Sequence, residues 1–295
     1  MKFTRLTALV AVPAALLISA CSGGSIGVIG GGGGTAGQQA NVRFVHGAPG
    51  AGNVDIYFQS NGSAAPSSPL ASNVPFGIAS DFLTLPNVAG SVIVQKAGGG
   101  APSTGATQFL SCPVPQFANN TNYSIVIVKT STSPNCVIFQ DPNYTASNQY
   151  RFHHASPAAT VALGSQTVTY GVATAAALPG ATFSVAGTAT YGTQAVGGTA
   201  PTYTVIAPAT LSSTSNVSFA VGPPSGGAAI TTLDAGAITL PGSATQPNSA
   251  SNTFTLPSGY AGASIYAIDC TGATLPAPGE RCTGGVALIG VYDSH

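Results

Sequence analysis

Tryptophan is absent from this chain, methionine occurs once, and charged residues make up only 5% of the 295 positions. That scarcity excludes whole classes of function. A nucleic-acid-binding protein needs a basic stripe to neutralise phosphates, and seven basic residues scattered among seven acidic ones form none. A glycosidase needs two carboxylates flanking the scissile bond, and acids that occur singly nominate no pair. Past its opening the chain also lacks any long apolar run. Segments such as Ile125-Val126-Ile127-Val128 fall far short of the roughly 20 residues that a membrane-spanning helix requires. Helical periodicity is nearly missing as well, which argues against helical folds.

What is present begins at the start. Met1-Lys2-Phe3-Thr4-Arg5 carries positive charge, an apolar run follows over 6–18, and Ser19-Ala20-Cys21 closes it. This is the layout of an export signal, too short and wrongly flanked for a permanent membrane helix. Ile18-Ser19-Ala20-Cys21 matches the lipobox of bacterial lipoproteins, in which a branched apolar residue and two small ones precede a cysteine that receives lipid. Residues 1–20 are therefore expected to be removed as a signal peptide, leaving Cys21 as an acylated N-terminus that anchors the protein to a membrane. The alternative is an ordinary secretory peptide cut after Ala20. Several acyl chains on one cysteine hold firmly, since each buried methylene contributes about 0.8 kcal/mol. Ser22, where aspartate would retain the protein at the inner membrane, favours the outer membrane under the sorting rule of Gram-negative bacteria. Residues 21–39 include the run 30–34 of glycine and have little to pack, so they are expected to form a flexible linker. Its reach by the coil relation is on the order of 20 to 25 Å.

Assigning Cys21 to lipid leaves Cys112, Cys136, Cys270 and Cys282, an even set suited to disulfides in an oxidising compartment. Sequence leaves the pairing open. The expected one joins nearest neighbours, Cys112 with Cys136 and Cys270 with Cys282, each bridge adding about 3 to 3.5 kcal/mol in the chain-entropy description. A zinc site is the rival, but the spacings resemble no C-x-x-C knuckle.

Apolar, β-branched runs alternate with Gly, Pro, Asn and Ser clusters at short intervals, the pattern of an all-β fold. Candidate strands are 41–46, 54–59, 80–85, 91–96, 123–129 and 137–140, then 150–154, 168–173, 182–186, 202–206, 217–221, 230–233, 253–256, 264–268 and 286–291. An internal echo divides them. Arg43-Phe44-Val45-His46-Gly47-Ala48-Pro49 returns as Arg151-Phe152-His153-His154-Ala155-Ser156-Pro157, with Arg, Phe, His and Pro at the same spacing. Tandem β-sandwich domains, immunoglobulin-like or similar, are expected over 40–145 and 149–295, joined within 141–149 where Pro142 and Asn143 break the preceding strand.

Val42-Arg43-Phe44-Val45-His46-Gly47-Ala48-Pro49, followed by Val54-Asp55-Ile56-Tyr57 and by Phe76-Gly77 through Asp81, resembles domain of unknown function family 4397, found in exported bacterial proteins and lipoproteins. The resemblance covers about residues 40–140 and, more weakly, the start of the second half. Beyond Pro157 the echo departs, with Val161-Ala162-Leu163 where V-D-I-Y would stand. The family implies an exported, β-sandwich-like module and no assigned activity.

Arg43, His46 and Asp55, with Arg151 and His154 in the echo, are the ionisable residues that stand out. On an extended strand Arg43 and Val45 point to one face, Phe44 and His46 to the other, so Arg43 and His46 do not share a site. A structural role is the preferred reading: Arg43 paired with Asp55 of the adjacent strand, and His46 tying the Gly47-Ala48-Pro49 turn to the backbone. A ligand or metal site at His46, or at His153 and His154, is the sharper alternative. Gly23-Gly24-Ser25-Ile26-Gly27 satisfies G-x-S-x-G only by chance, since a nucleophile elbow needs a strand before the serine and a helix after it. The tyrosines, from Tyr57 to Tyr292, could in part line a sugar-binding face or simply be good strand residues.

The expectation is an envelope lipoprotein without cofactor, held to the membrane by its lipid, acting as a non-catalytic binding or structural module whose partner is an envelope protein or polysaccharide. A periplasmic or surface hydrolase near His46 or His154, and a metal- or carbohydrate-binding surface protein, are the rival readings.

Overall fold

Valine, isoleucine, threonine and tyrosine fill the extended runs and turn residues separate them, and the described residues form 19 strands with one short α-helix. The computed structural model describes residues 38–102, 108–129, 134–174, 177–194, 204–275 and 280–294. The expected signal peptide, Cys21 and most of the glycine-rich linker lie outside them.

In chain order the first half contains β1 (Gln39–Gly47), β2 (Val54–Ser60), β3 (Ala71–Val74), β4 (Leu83–Pro86), β5 (Gly90–Lys96), β6 (Gln108–Val114), β7 (Asn122–Lys129) and β8 (Pro134–Asp141). The second half begins with β9 (Gln149–His154), helix α1 (Pro157–Leu163), β10 (Thr167–Thr174), β11 (Ser184–Thr190), β12 (Thr193–Gln194), β13 (Thr204–Val205) and β14 (Ala209–Thr210). It ends with β15 (Val217–Gly222), β16 (Thr231–Asp234), β17 (Gly262–Asp269), β18 (Cys282–Thr283) and β19 (Val286–Asp293). Strand β8 ends at Asp141 and β9 begins at Gln149, and the stretch between them contains Pro142 and Asn143.

The strands form four sheets, and the second pair repeats the first. Strand order β4-β1-β7-β8 in one half corresponds to β14-β9-β17-β19 in the other, and β3-β2-β5-β6 corresponds to β11-β10-β15-β16. Direction agrees too: β1 runs parallel to β7 and β9 parallel to β17, while the remaining pairs along these paths are antiparallel.

Side-chain parity then stacks the sheets into layers. Phe44, Ile125 and Ile138 join Ile56, Val92 and Val94 in a core between the two sheets of the first half. Phe152, Ile265 and Leu288 join Val168, Phe219 and Leu233 in the matching core of the second half. Val45, Val126, Val128, Val137 and Phe139 meet Tyr266, Ile268, Ile289 and Val291 in a third core shared by both halves. The strands flanking this shared core are buried on both faces, β9, β17 and β19 along their whole length. That is why they read as unbroken apolar runs such as Ile125-Val126-Ile127-Val128 instead of alternating. The second half also extends the first: β12 and β13 both pair with β8, one antiparallel and the other parallel.

Both disulfides follow the nearest-neighbour pairing. Cys112 to Cys136 ties β6 to β8 with Cα atoms 6.2 Å apart, and Cys270 to Cys282 ties the end of β17 to β18 at 5.8 Å.

Several elements depart from the sequence reading. Residues 253–256 are not a strand: Phe254 inserts into the second core while its amide donates to the Thr214 carbonyl, which leaves no ladder to build. The strand expected at 80–85 begins only at Leu83, because the Ser80 side chain accepts the Phe44 amide instead. The short strand β3 and the edge strand β6, with Pro113, gave no alternation to read; proline is tolerated there because an edge leaves one row of amides unpaired. Val161-Ala162-Leu163 is the end of α1, capped by Ser156, whose hydroxyl accepts the Ala159 amide, and closed by Gly164 at φ 59°. This helix is inserted between β9 and β10, so the counterpart of the V-D-I-Y strand is β10, downstream of where the echo would put it.

Candidate functional site

The echoed arginines converge on one carboxylate. Arg43 faces the shared core from β1 and Arg151 from β9, both wholly buried. Arg43 donates through Nη1 to Asp293 Oδ1 and through Nη2 to the Tyr292 carbonyl at 3.2 Å. Arg151 donates through Nη1 to Asp293 Oδ2 at 2.8 Å and through Nε to the Pro142 carbonyl at 3.2 Å. Asp293 also accepts the Ser264 hydroxyl at 2.6 Å and the Tyr144 hydroxyl at 2.5 Å. Each guanidinium lies over a ring, Arg43 on Phe82 at 4.3 Å and Arg151 on Tyr144 at 3.8 Å. Tyr144 can lie there because residue 262 is glycine: a Cβ at that position would sit 2.3 Å from the ring.

A second carboxylate balances the charge. Asp141, at the end of β8, accepts the Ser124 hydroxyl at 2.6 Å and contacts His153 Nε2 at 2.8 Å. Ser124 in turn meets the Tyr266 hydroxyl at 2.7 Å, and the His153 ring stacks on Tyr266 with centroids 4.4 Å apart. Burial alone would raise the Asp293 carboxyl, but the two guanidiniums and the Ser264 and Tyr144 hydroxyls outweigh it and hold the group below the usual aspartate value.

The cluster is duplicated like the sheets. Arg43 pairs in register with Ser124, whose hydroxyl bonds Asp141; Arg151 pairs with Ser264, whose hydroxyl bonds Asp293. Each half therefore carries an Arg, a Ser and an Asp at equivalent strand positions; the Arg43–Asp293 ion pair and the His153–Asp141 contact cross between halves, while the Arg151–Asp293 pair stays within the second. Sequence reading found the arginines and missed Asp141, Asp293, Ser124 and Ser264. The signal was there, as an Asp ending the last apolar strand of each half.

The pairing of Arg43 with Asp55 is overturned. Asp55 lies on β2 in the outer sheet, where its carboxylate accepts the Asn73 amide at 2.8 Å and the Gly98 amide at 2.9 Å, bracing the irregular β2–β3 pairing and the turn after β5. Asp55 is too short to reach across a full core layer to Arg43. His46 ties its turn to the backbone: Nδ1 accepts the Ala48 amide at 3.4 Å, and Nε2 lies 2.8 Å from the Gly52 carbonyl. His154 is buried beside Thr160 and the Tyr191 ring, with its pKa pushed down to about 4 by burial. Its Nδ1 has no partner among the described residues.

This arrangement joins β1 and β9 to the end of β19 through one carboxylate. Ser124 and His153 both bond the Asp141 carboxylate instead of each other, so the serine–imidazole hydrogen bond of a nucleophilic relay is not made. Among the described residues no group of three His, Cys, Asp or Glu side chains is placed to hold a metal ion. Among those residues, too, no helix is long and apolar enough to cross a membrane, which says nothing of β-strands.

Two internal disulfides and a stack of four sheets around a sealed ionic clamp define a disulfide-stapled, all-β protein of an extracytoplasmic compartment. Residues 40–161 carry the domain described as Domain of unknown function (DUF4397). The matched stretch opens on β1 and closes inside α1, so it contains both clamp arginines. No curated protein matches the chain.

Proposed function

We propose that this is an envelope lipoprotein, anchored by lipid on Cys21 to the outer membrane, whose body serves as a non-catalytic binding or structural module built from two copies of one fold. The observation that carries the non-catalytic reading is the fate of the conspicuous ionisable residues. Arg43, Arg151, Asp141, Asp293 and His153 are fully buried and bond one another or their neighbours, with only Arg43 Nε and His153 Nδ1 left without a partner among the described residues, and His46 and Asp55 bond backbone groups. Residues retained for such work stabilise a rigid scaffold and leave the loops to make contacts. The matched strand order and the repeated Arg-Ser-Asp set support descent of the second half from the same module as the first, with α1 as an insertion.

The test joins two measurements. Mass spectrometry of the protein from its native membrane should find diacylated or triacylated Cys21 as the first residue, and an unmodified thiol there would end the anchoring proposal. The purified body should retain material from an envelope fraction in a pull-down. Failure to retain protein or polysaccharide would leave only a structural role.

A further inference from the structure

We propose that an uncharged cleft at one end of the outer sheet of the second half is a binding site for a neutral saccharide, an inference that rests on the binding-module reading above. The cleft, about 430 Å³, lies between the end of β10, the start of β11 and the turn leading into β15. That volume falls in the range of about 300 to 1,000 Å³ typical of small-ligand sites.

Its lining specifies the chemistry. Thr182, Ser184, Ser212 and Asn216 present hydroxyl and amide groups at its rim, all exposed, and their side chains make no hydrogen bond among the described residues. Hydroxyl rotors both donate and accept, as sugar hydroxyls do, so the two sets complement each other. Phe183 and Val172, both half-buried, supply an apolar floor on which the C–H face of a sugar ring can rest. Phe183 is fixed there by Gly222, since a Cβ at 222 would come within 2.8 Å of the ring. No charged residue lines the cleft, which removes the means of recognising a phosphate, a nucleotide or an anionic polymer. A wholly apolar ligand would bury the rim hydroxyls without partners and is disfavoured for that reason.

Backbone geometry marks the same place. The β10–β11 ladder breaks register between Tyr170 and Gly171, leaving Ala186 as an extra residue, and this bulge adjoins the strand ends that border the cleft. Bulges of this kind bend a strand and re-aim side chains next to binding sites. Asn216 adopts φ 53°, turning the chain at the cleft's far wall.

The test is saturation-transfer NMR on the purified full chain with cellotriose, maltotriose and chitotriose at millimolar concentration, and trigalacturonate as an anionic comparator. Transfer to at least one neutral trisaccharide is expected, with none to trigalacturonate. The exposed double variant S184K/S212K should weaken binding by about tenfold or more at an unchanged melting temperature, and Phe183→Leu should weaken it independently by removing the ring. Absence of transfer to all three neutral sugars, or equal transfer in wild type and both variants, overturns the site. Pull-downs from an envelope fraction separate the two proposals. Retention of material by wild type and S184K/S212K alike sinks the cleft and leaves the module reading intact, whereas no retention by either sinks the cleft and the binding role together, leaving only a structural one.

Discussion

Arg43, in the middle of β1, donates to Asp293, the last residue of β19, across 250 residues of sequence. The contact closes the molecule on itself, and its energetics decide how the halves depend on each other. A buried ion pair contributes little over a well-packed apolar pair, because desolvation consumes most of the Coulomb gain. Removing one member is different, since it strands the other.

Asp293→Ala should therefore be severely destabilising, by about 3 to 5 kcal/mol, because it leaves two buried guanidiniums facing each other without their shared anion. Urea denaturation of the variant would measure this. A double-mutant cycle with Arg43→Met should recover part of the loss, because one stranded charge is then removed. A single Asp293→Ala loss below about 1 kcal/mol would mean the clamp is hydrated in solution.

Acid should weaken the fold before it protonates ordinary carboxylates. His154 takes its proton near pH 6.5 when unfolded and only near pH 4 when folded. Its folded value is the lower one, so stability is full above pH 6.5 and drains away as pH falls toward 4, on the order of 3 kcal/mol in all. His46 shifts in the same direction through burial, and Asp293, held low in the folded state, adds a further loss below the usual aspartate range. Asp269 opposes them, because burial raises its folded value. Chemical denaturation midpoints at neutral pH and about pH 4.5 should differ clearly in wild type and less in His154→Gln.

What could be read from sequence, and what could not, follows the same physics. The strands of the shared core were legible because burial on both faces leaves long apolar runs, and the four thiols were legible as an even set, although only the fold chose the nearest-neighbour pairing among the three open ones. The echo around Arg43 and Arg151 was legible because both arginines do the same job. Their partner was not. Asp55 is the nearest acid along the chain and Asp293 the farthest, and only the packing of the two halves decides between them. Helix α1 stayed hidden because Pro157-Ala158-Ala159-Thr160 is too short to show a period, and its N-cap Ser156 looks like any turn serine. The uncharged cleft was invisible because its residues come from three separate segments of small polar composition.

Gly262→Val, at a buried position of β17, should be destabilising. A side chain at 262 displaces Tyr144, whose ring covers Arg151 and whose hydroxyl bonds both Asp293 and the Ala263 carbonyl. A loss of about 2 kcal/mol or more is expected, against about 1 for Tyr144→Phe, which keeps the ring and forfeits only the hydroxyl. Thermal melts of the two variants rank them, and the reverse order would show that the ring packs elsewhere.

The last prediction concerns the shared core. A fragment ending before β9 keeps the first core, its disulfide and a regular strand order, yet bares Val45, Val126, Val128, Val137 and Phe139 on one sheet face. Each such side chain is worth about 1.5 to 3 kcal/mol when buried, and the same face would expose Arg43 and Asp141 without their partners from the second half. Residues 38–148 alone should therefore self-associate, through the face that β17 and β19 cover in the whole chain. Sedimentation velocity would show it as dimer or larger, and Val126→Asp with Phe139→Lys on that face should return it to monomer. The same pair of changes in the full chain should instead unfold it, since there the face has no water to meet. A fragment that remains monomeric and cooperatively folded would mean that the first half stands alone and the clamp is an addition to it.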